Sequence, residues 1–138
     1  MYKRQVLNNS IFIAGGSYPN AIEYRFPDAT GVIIQNNLTN KIIAARDGAT
    51  ATVSGNYTSA TIGMFANAAA GDLHLVSSAT DVIDHGTALP DVPLDWDGQP
   101  RGAGGSTPDI GADEFTNTGP GTHQPPATPK NVRIVSPP

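Results

Sequence analysis

Three observations predict that this 138-residue chain is built of strands alone. Its apolar residues come in short groups: "SIFI" (10–13), "GVIIQ" (31–35), "KIIA" (41–44), "ATV" (51–53), "DLHLV" (72–76) and "DVID" (81–84). Most of these groups are β-branched or alternate with polar residues, and Gly, Asn or Asp punctuates them, which is the pattern of short strands. No window of eleven or more residues holds the 3.6-residue apolar spacing of a helix; "MFANAAA" (64–70) suffices for one short turn. Finally, Val6, Ile34 and Val53 are each followed three residues later by an asparagine: Asn9, Asn37 and Asn56. A repeat offset by 28 and then 19 residues, made of short strands with a recurring Asn corner, predicts a parallel β-helix solenoid.

The first 90 residues are assigned to the coils of that solenoid. Asparagine suits their corners because it tolerates a left-handed backbone. Stacked in successive coils, the amides of Asn9, Asn37 and Asn56 are expected to bond to one another along the axis as a structural ladder. Asn8-Asn9-Ser10, Asn37-Leu38-Thr39 and Asn56-Tyr57-Thr58 also read as glycosylation sequons. Two of those acceptors are ladder positions, so glycosylation is the weaker reading.

Residues 91–115 read as an acidic, Gly-rich capping tail. The stretch 81–115 holds eight of the twelve acids, with Arg101 its only Lys or Arg, and 95–115 contains five glycines. A solenoid must close its last strand edges and its open apolar cross-section. Arg101 is expected to fork onto Asp95, Asp97 or Glu114, with Asp109 in the same cap and Trp96 and Phe115 covering the apolar end. Residues 116–129, Pro-, Gly- and Thr-rich, read as a linker. Residues 130–138, "KNVRIVSPP", read as the start of a truncated following module.

With these residues in view, the stretch from "NNLTN" to "DVIDHG", followed by "DWDGQPRGAGGSTPDIGADEF", resembles the C-terminal end of bacterial right-handed parallel β-helix proteins of pectate lyase-like architecture. The segments that carry the resemblance are Asp72–Leu75, Ile83–Gly86, Asp95–Arg101 and Asp109–Glu114. "PPATPKNVRIV" is similar to the linker and first strand of a fibronectin type III module. The resemblance implies a secreted or surface-anchored, carbohydrate-associated protein and a possible polysaccharide partner. On that reading the chain is a non-catalytic end piece. Its alternatives are a part of a polysaccharide lyase or glycoside hydrolase whose site lies upstream, and a calcium-stabilised adhesion module. No signal peptide is visible near Met1, which fits a piece of a longer parent.

The site chemistry is limited by composition. With no cysteine there is no disulfide and no thiolate metal site. A net charge of −4 argues against nucleic acid, and no apolar run is long enough for a membrane span. Asp95, Asp97 and Asp109 are the candidate Ca²⁺ ligands, since Ca²⁺ takes six to eight oxygens. An EF-hand is excluded: with Gly98 at the sixth loop position, Pro93 falls at the first and Gly104 at the last. Asp95 and Asp97 also pair as glycosidase carboxylates do, but no dry pocket is evident around them. His74, between Leu73 and Leu75, is expected to face solvent. His85 with Asp81 and Asp84 resembles part of a triad without a nucleophile elbow. Tyr18, Tyr24 and Tyr57 are the candidates for stacking on sugar rings. An uncapped first coil is expected to leave an open edge for self-association.

Overall fold

A computed structural model describes residues 4–103 and 106–116. Within them lie nine short strands: β1 Arg4–Leu7, β2 Ser10–Ile11, β3 Asn20–Arg25, β4 Val32–Gln35, β5 Leu38–Thr39, β6 Ile42–Arg46, β7 Ala51–Ser54, β8 Phe65–Asn67 and β9 Asp72–Leu75. Three parallel sheets, β1-β4-β7, β2-β5 and β3-β6, are joined by one antiparallel pair, β8-β9. In the first sheet Val6 lies opposite Ile34, and Ile34 opposite Val53. The 28- and 19-residue offsets of the sequence are therefore strand registers.

The expected right-handed parallel β-helix is nevertheless overturned. No sheet exceeds three strands, the β2-β5 and β3-β6 sheets stop at two, and no closed solenoid forms among the described residues. The reason lies after Tyr57. A single bridge from Leu38 to Tyr57 continues the stack, and then "TSATIGM" lacks the alternation of β3 and β6. It bends into a 3-10 turn at Ile62–Met64, and the chain reverses through β8 and β9 instead of adding strands. The outcome is an all-β fold of small mixed sheets. Ile42 and Val53 remain 55% and 43% exposed at the uncovered side.

Two jobs that the sequence reading gave to one asparagine are divided between neighbours. The left-handed corner residues are Asn8, Asn36 and Gly55, with φ of 50°, 56° and 59°. The next residue in each case makes the ladder. Asn9 Nδ2 donates to Asn37 Oδ1 and Asn37 Nδ2 to Asn56 Oδ1, both at 2.8 Å. The backbone amides of Asn9 and Asn37 donate to the same two oxygens. A corner turns outward at the first position so that the second can point inward along the stack.

Two apolar clusters result. The smaller gathers Ile22, Val32 and Ile34; the larger gathers Leu38, Met64, Phe65, Leu75, Val82 and Ile110 among others. Phe12 meets Phe65 edge to face at 5.6 Å. Ile110 belongs to the tail, so the segment expected to close the fold from outside instead supplies part of its inside. Gly111, at φ 118°, brings the backbone onto the corner: a Cβ there would sit 2.8 Å from Ser10 Oγ and 3.2 Å from Leu38 Cβ. Only glycine combines that φ with that approach. Most of the linker, from residue 117, and the module at 130–138 lie outside the described residues. No helix of the described residues is long and apolar enough to cross a membrane.

Candidate functional site

The tail's buried carboxylates hold backbone amides. Asp95 Oδ1 accepts from Asp97 N at 2.9 Å and Gln99 N at 2.7 Å, and its Oδ2 accepts from Glu114 N at 3.1 Å. Asp109 accepts from Asp84 N at 2.7 Å and Phe115 N at 2.6 Å. Glu114 accepts from Gly102 N and Asp109 N, and Asp113 from Leu75 N at 2.7 Å. A Gly-rich segment with no regular strand must satisfy its amides by other means, and ionised side chains satisfy them strongly.

Arg101 pairs with Glu114, one of the three acids expected of it, with Nη1 3.7 Å from Oε2. The pair is single rather than a bidentate fork, and Nε and Nη2 donate to the carbonyls of Leu94 at 3.2 Å and Ala112 at 2.6 Å. Trp96 is 61% exposed and lies beside the His74 ring, with centroids 6.4 Å apart, whereas Phe115 packs on the larger core. The Ca²⁺ trio does not converge. Among the described residues, the one group of His and carboxylate ligand atoms within 4.8 Å of one another is His74, Asp97 and Asp113. Of the trio, only Asp97 belongs to it.

His74 thus leaves the solvent-facing role predicted from its neighbours. Its side chain is 11% exposed and lies between two acids, with Nδ1 2.5 Å from Asp72 Oδ1 and Nε2 2.9 Å from Asp97 Oδ2. The Trp96 indole N–H also points at Nε2, at 3.3 Å. Burial opposes charge on the imidazole, but the carboxylates of Asp72 and Asp97 outweigh it and the His74 pKa is raised. The Asp113 carboxyl is pushed up by burial. A cleft of about 570 Å³ opens beside these groups, walled by Ser10, Gly71, Leu73, Trp96 and Ala112.

The other candidates stand apart. His85 Nδ1 rests on the Ile83 carbonyl in the same turn at 2.6 Å, while Asp81 is engaged by the Tyr57 hydroxyl at 3.1 Å. No triad forms from them. Tyr18 is 56% exposed, but Tyr24 and Tyr57 are half-buried against the two clusters, leaving them poor platforms for a sugar. Asn8 and Asn37 are buried, which closes those sequons to a glycan. The His74 group went unseen because its members lie 23 and 39 residues apart along the chain; the one local signal was a histidine spaced two residues after an aspartate.

Comparison with family models, curated proteins and solved structures returned no match, so none of them identifies a β-helix repeat or a fibronectin type III module.

The tail's electrostatics predict an acid-favouring stability profile. Burial raises the Asp109 carboxyl from 3.8 to about 6, against the opposing effect of its two amide donors. A group that holds its proton more tightly when folded adds stability below its unfolded pKa, and loses that contribution as pH rises through its folded one. The two values bracket a window from 3.8 to about 6, worth on the order of 3 kcal/mol. Glu23 works oppositely. Hydrogen bonds from Asn20 and Arg25 hold it down at about 2, so its contribution is present above 4.5 and lost towards 2. Thermal melts should therefore peak near pH 4–5 and decline on both sides. For Asp109→Asn the decline between pH 5 and 7 should flatten; an unchanged slope would remove Asp109 as its cause.

Proposed function

We propose that this chain is a non-catalytic structural module of an extracellular, carbohydrate-associated bacterial protein, with a polysaccharide as its partner. The observation that carries the reading is the engagement of Asp95, Asp109, Asp113 and Glu114 with backbone amides. General acid–base work needs a carboxyl placed against a substrate oxygen, and these are turned into the protein's own main chain. The single tryptophan, exposed at the mouth of the cleft, supplies the kind of flat apolar face that sugar rings use. Among the described residues β1 pairs only with β4, and an edge of that kind suits association between copies.

The test uses acidic and neutral polysaccharides. No new reducing ends or unsaturated products should appear on prolonged incubation, while matching oligosaccharides should shift Trp96 fluorescence. Depolymerisation that survives re-purification would overturn the non-catalytic reading. An unmoved fluorescence signal across the panel would remove the carbohydrate partner. Light scattering over a wide concentration range reports on β1: a constant monomer mass would exclude association through its edge.

A further inference from the structure

We propose that His74, Asp97 and Asp113 form a binding site for one divalent transition-metal ion of the Zn²⁺ class, with Asp72 orienting the imidazole. The inference is independent of the carbohydrate reading.

The first support is placement. His74 stands on β9, fixed by pairing with β8, and Leu75, the next residue, holds Asp113 through its amide. Asp97 and Asp113 lie on two tail segments tied by the bond from Trp96 N to the Ala112 carbonyl. Three segments distant in sequence thus aim one nitrogen and two carboxylates at one point, their ligand atoms all within 4.8 Å. Zinc bonds of about 2.0–2.2 Å to N and O in a tetrahedral site place ligand atoms about 3.3–3.6 Å apart. His74 Nε2 and Asp97 Oδ2 are 2.9 Å apart and part by a few tenths of an ångström to admit an ion.

The second support is the partner of the other ring nitrogen. Asp72 Oδ1 lies 2.5 Å from Nδ1. A carboxylate there keeps the proton on Nδ1, which turns the Nε2 lone pair towards the site and makes it a stronger donor. Metal-binding histidines are held in this way.

The third support is burial. Asp113 is 4% exposed and the side chain of Asp97 is fully covered, and a divalent ion held between them supplies two compensating positive charges. The choice of ion follows from the donors. Imidazole suits Zn²⁺ and its neighbours, while Ca²⁺ and Mg²⁺ require oxygen. Three protein ligands leave a coordination position open towards the cleft, where water or an oxygen of a bound molecule can complete the set.

The test titrates the untagged full chain with Zn²⁺ by calorimetry, and with Co²⁺ by visible absorption. One equivalent should bind, with quenching of Trp96 and the intense d–d bands of a low-coordinate Co²⁺ site. His74→Gln should weaken binding at least 100-fold and Asp72→Asn about 10- to 100-fold, while His85→Gln should leave it unchanged. Should His74→Gln fail to fold, the Co²⁺ spectrum of the native chain decides alone, because an all-oxygen octahedral site gives only weak bands. No saturable binding at millimolar Zn²⁺, an octahedral Co²⁺ spectrum, or loss of binding in His85→Gln would each overturn the proposal. So would Ca²⁺ competing on equal terms.

Discussion

Asn37→Ala will destabilise the fold by about 3–5 kcal/mol, a large part of the 5–15 kcal/mol typical of a domain. Asn37 is fully buried and stands in the middle of the ladder. Its Oδ1 accepts from both nitrogens of Asn9, while its Nδ2 serves Asn56 Oδ1 and the carbonyls of Val6 and Gln35. Alanine strands the Asn9 backbone amide and takes one bond each from Asn9 Nδ2, Asn56 Oδ1 and the Gln35 carbonyl, which keep the Leu7 carbonyl, Asn37 N and Asn8 N as partners; a buried group left stranded costs about 1–3 kcal/mol before relaxation. Asn37→Asp separates the two halves of the amide: acceptors persist, but donors vanish and a charge is buried. Chemical denaturation should show both variants strongly destabilised, and Asn9→Ala, at an exposed end of the ladder, far less so. Equal losses at 9 and 37 would mean that the stack draws its stability elsewhere.

Asp95→Ala will release the tail from the body at a cost of about 3–4 kcal/mol. One side chain holds three amides, and the third, from Glu114, is the crossing point between the two tail segments. Loss of that crossing frees Glu114, whose own oxygens hold Gly102 and Asp109. The effect should therefore spread. Hydrogen exchange is expected to accelerate at Asp97, Gln99, Gly102, Asp109 and Glu114 together, while β4 amides keep their protection. Asp95→Asn retains one oxygen and should release only part of this set. Exchange confined to Asp97 and Gln99 would show that the tail is held by its apolar contacts, Ile110 foremost, and not by the carboxylate chain.

The sequence made the lateral order of the strands legible because a ladder is local chemistry repeated. Val6, Ile34 and Val53, each three residues before an Asn, give the register without any knowledge of the turns between them. Closure of a coil is a different matter, since it depends on every side of every pass. The third pass fails at "TSATIGM", where a weak alternation yields to a 3-10 turn. At the site, acidic density in the tail was visible but its targets were not. A carboxylate bonded to an amide four residues away, as in Asp95 with Gln99, can be guessed from a Gly-rich loop. One bonded to an amide 38 residues away, as in Asp113 with Leu75, cannot. The same distance hid His74, whose alternation with two leucines described its strand correctly and its neighbours not at all.

The tail's return to the first corner sets the order in which the chain can complete itself. Asn8 Nδ2 reaches the Gly111 carbonyl, and Ser10 Oγ takes the amide of Ala112, across 103 and 102 residues. A ribosome that has delivered β1 to β7 has made a stack whose larger core still lacks Ile110. Loops of that length close slowly, and parallel pairing is slow in itself. The nascent chain must therefore carry an incomplete core until Ile110 to Ala112 are free of the exit tunnel. Assistance during synthesis, or low temperature during expression, should matter more to its yield than the stability of the finished fold.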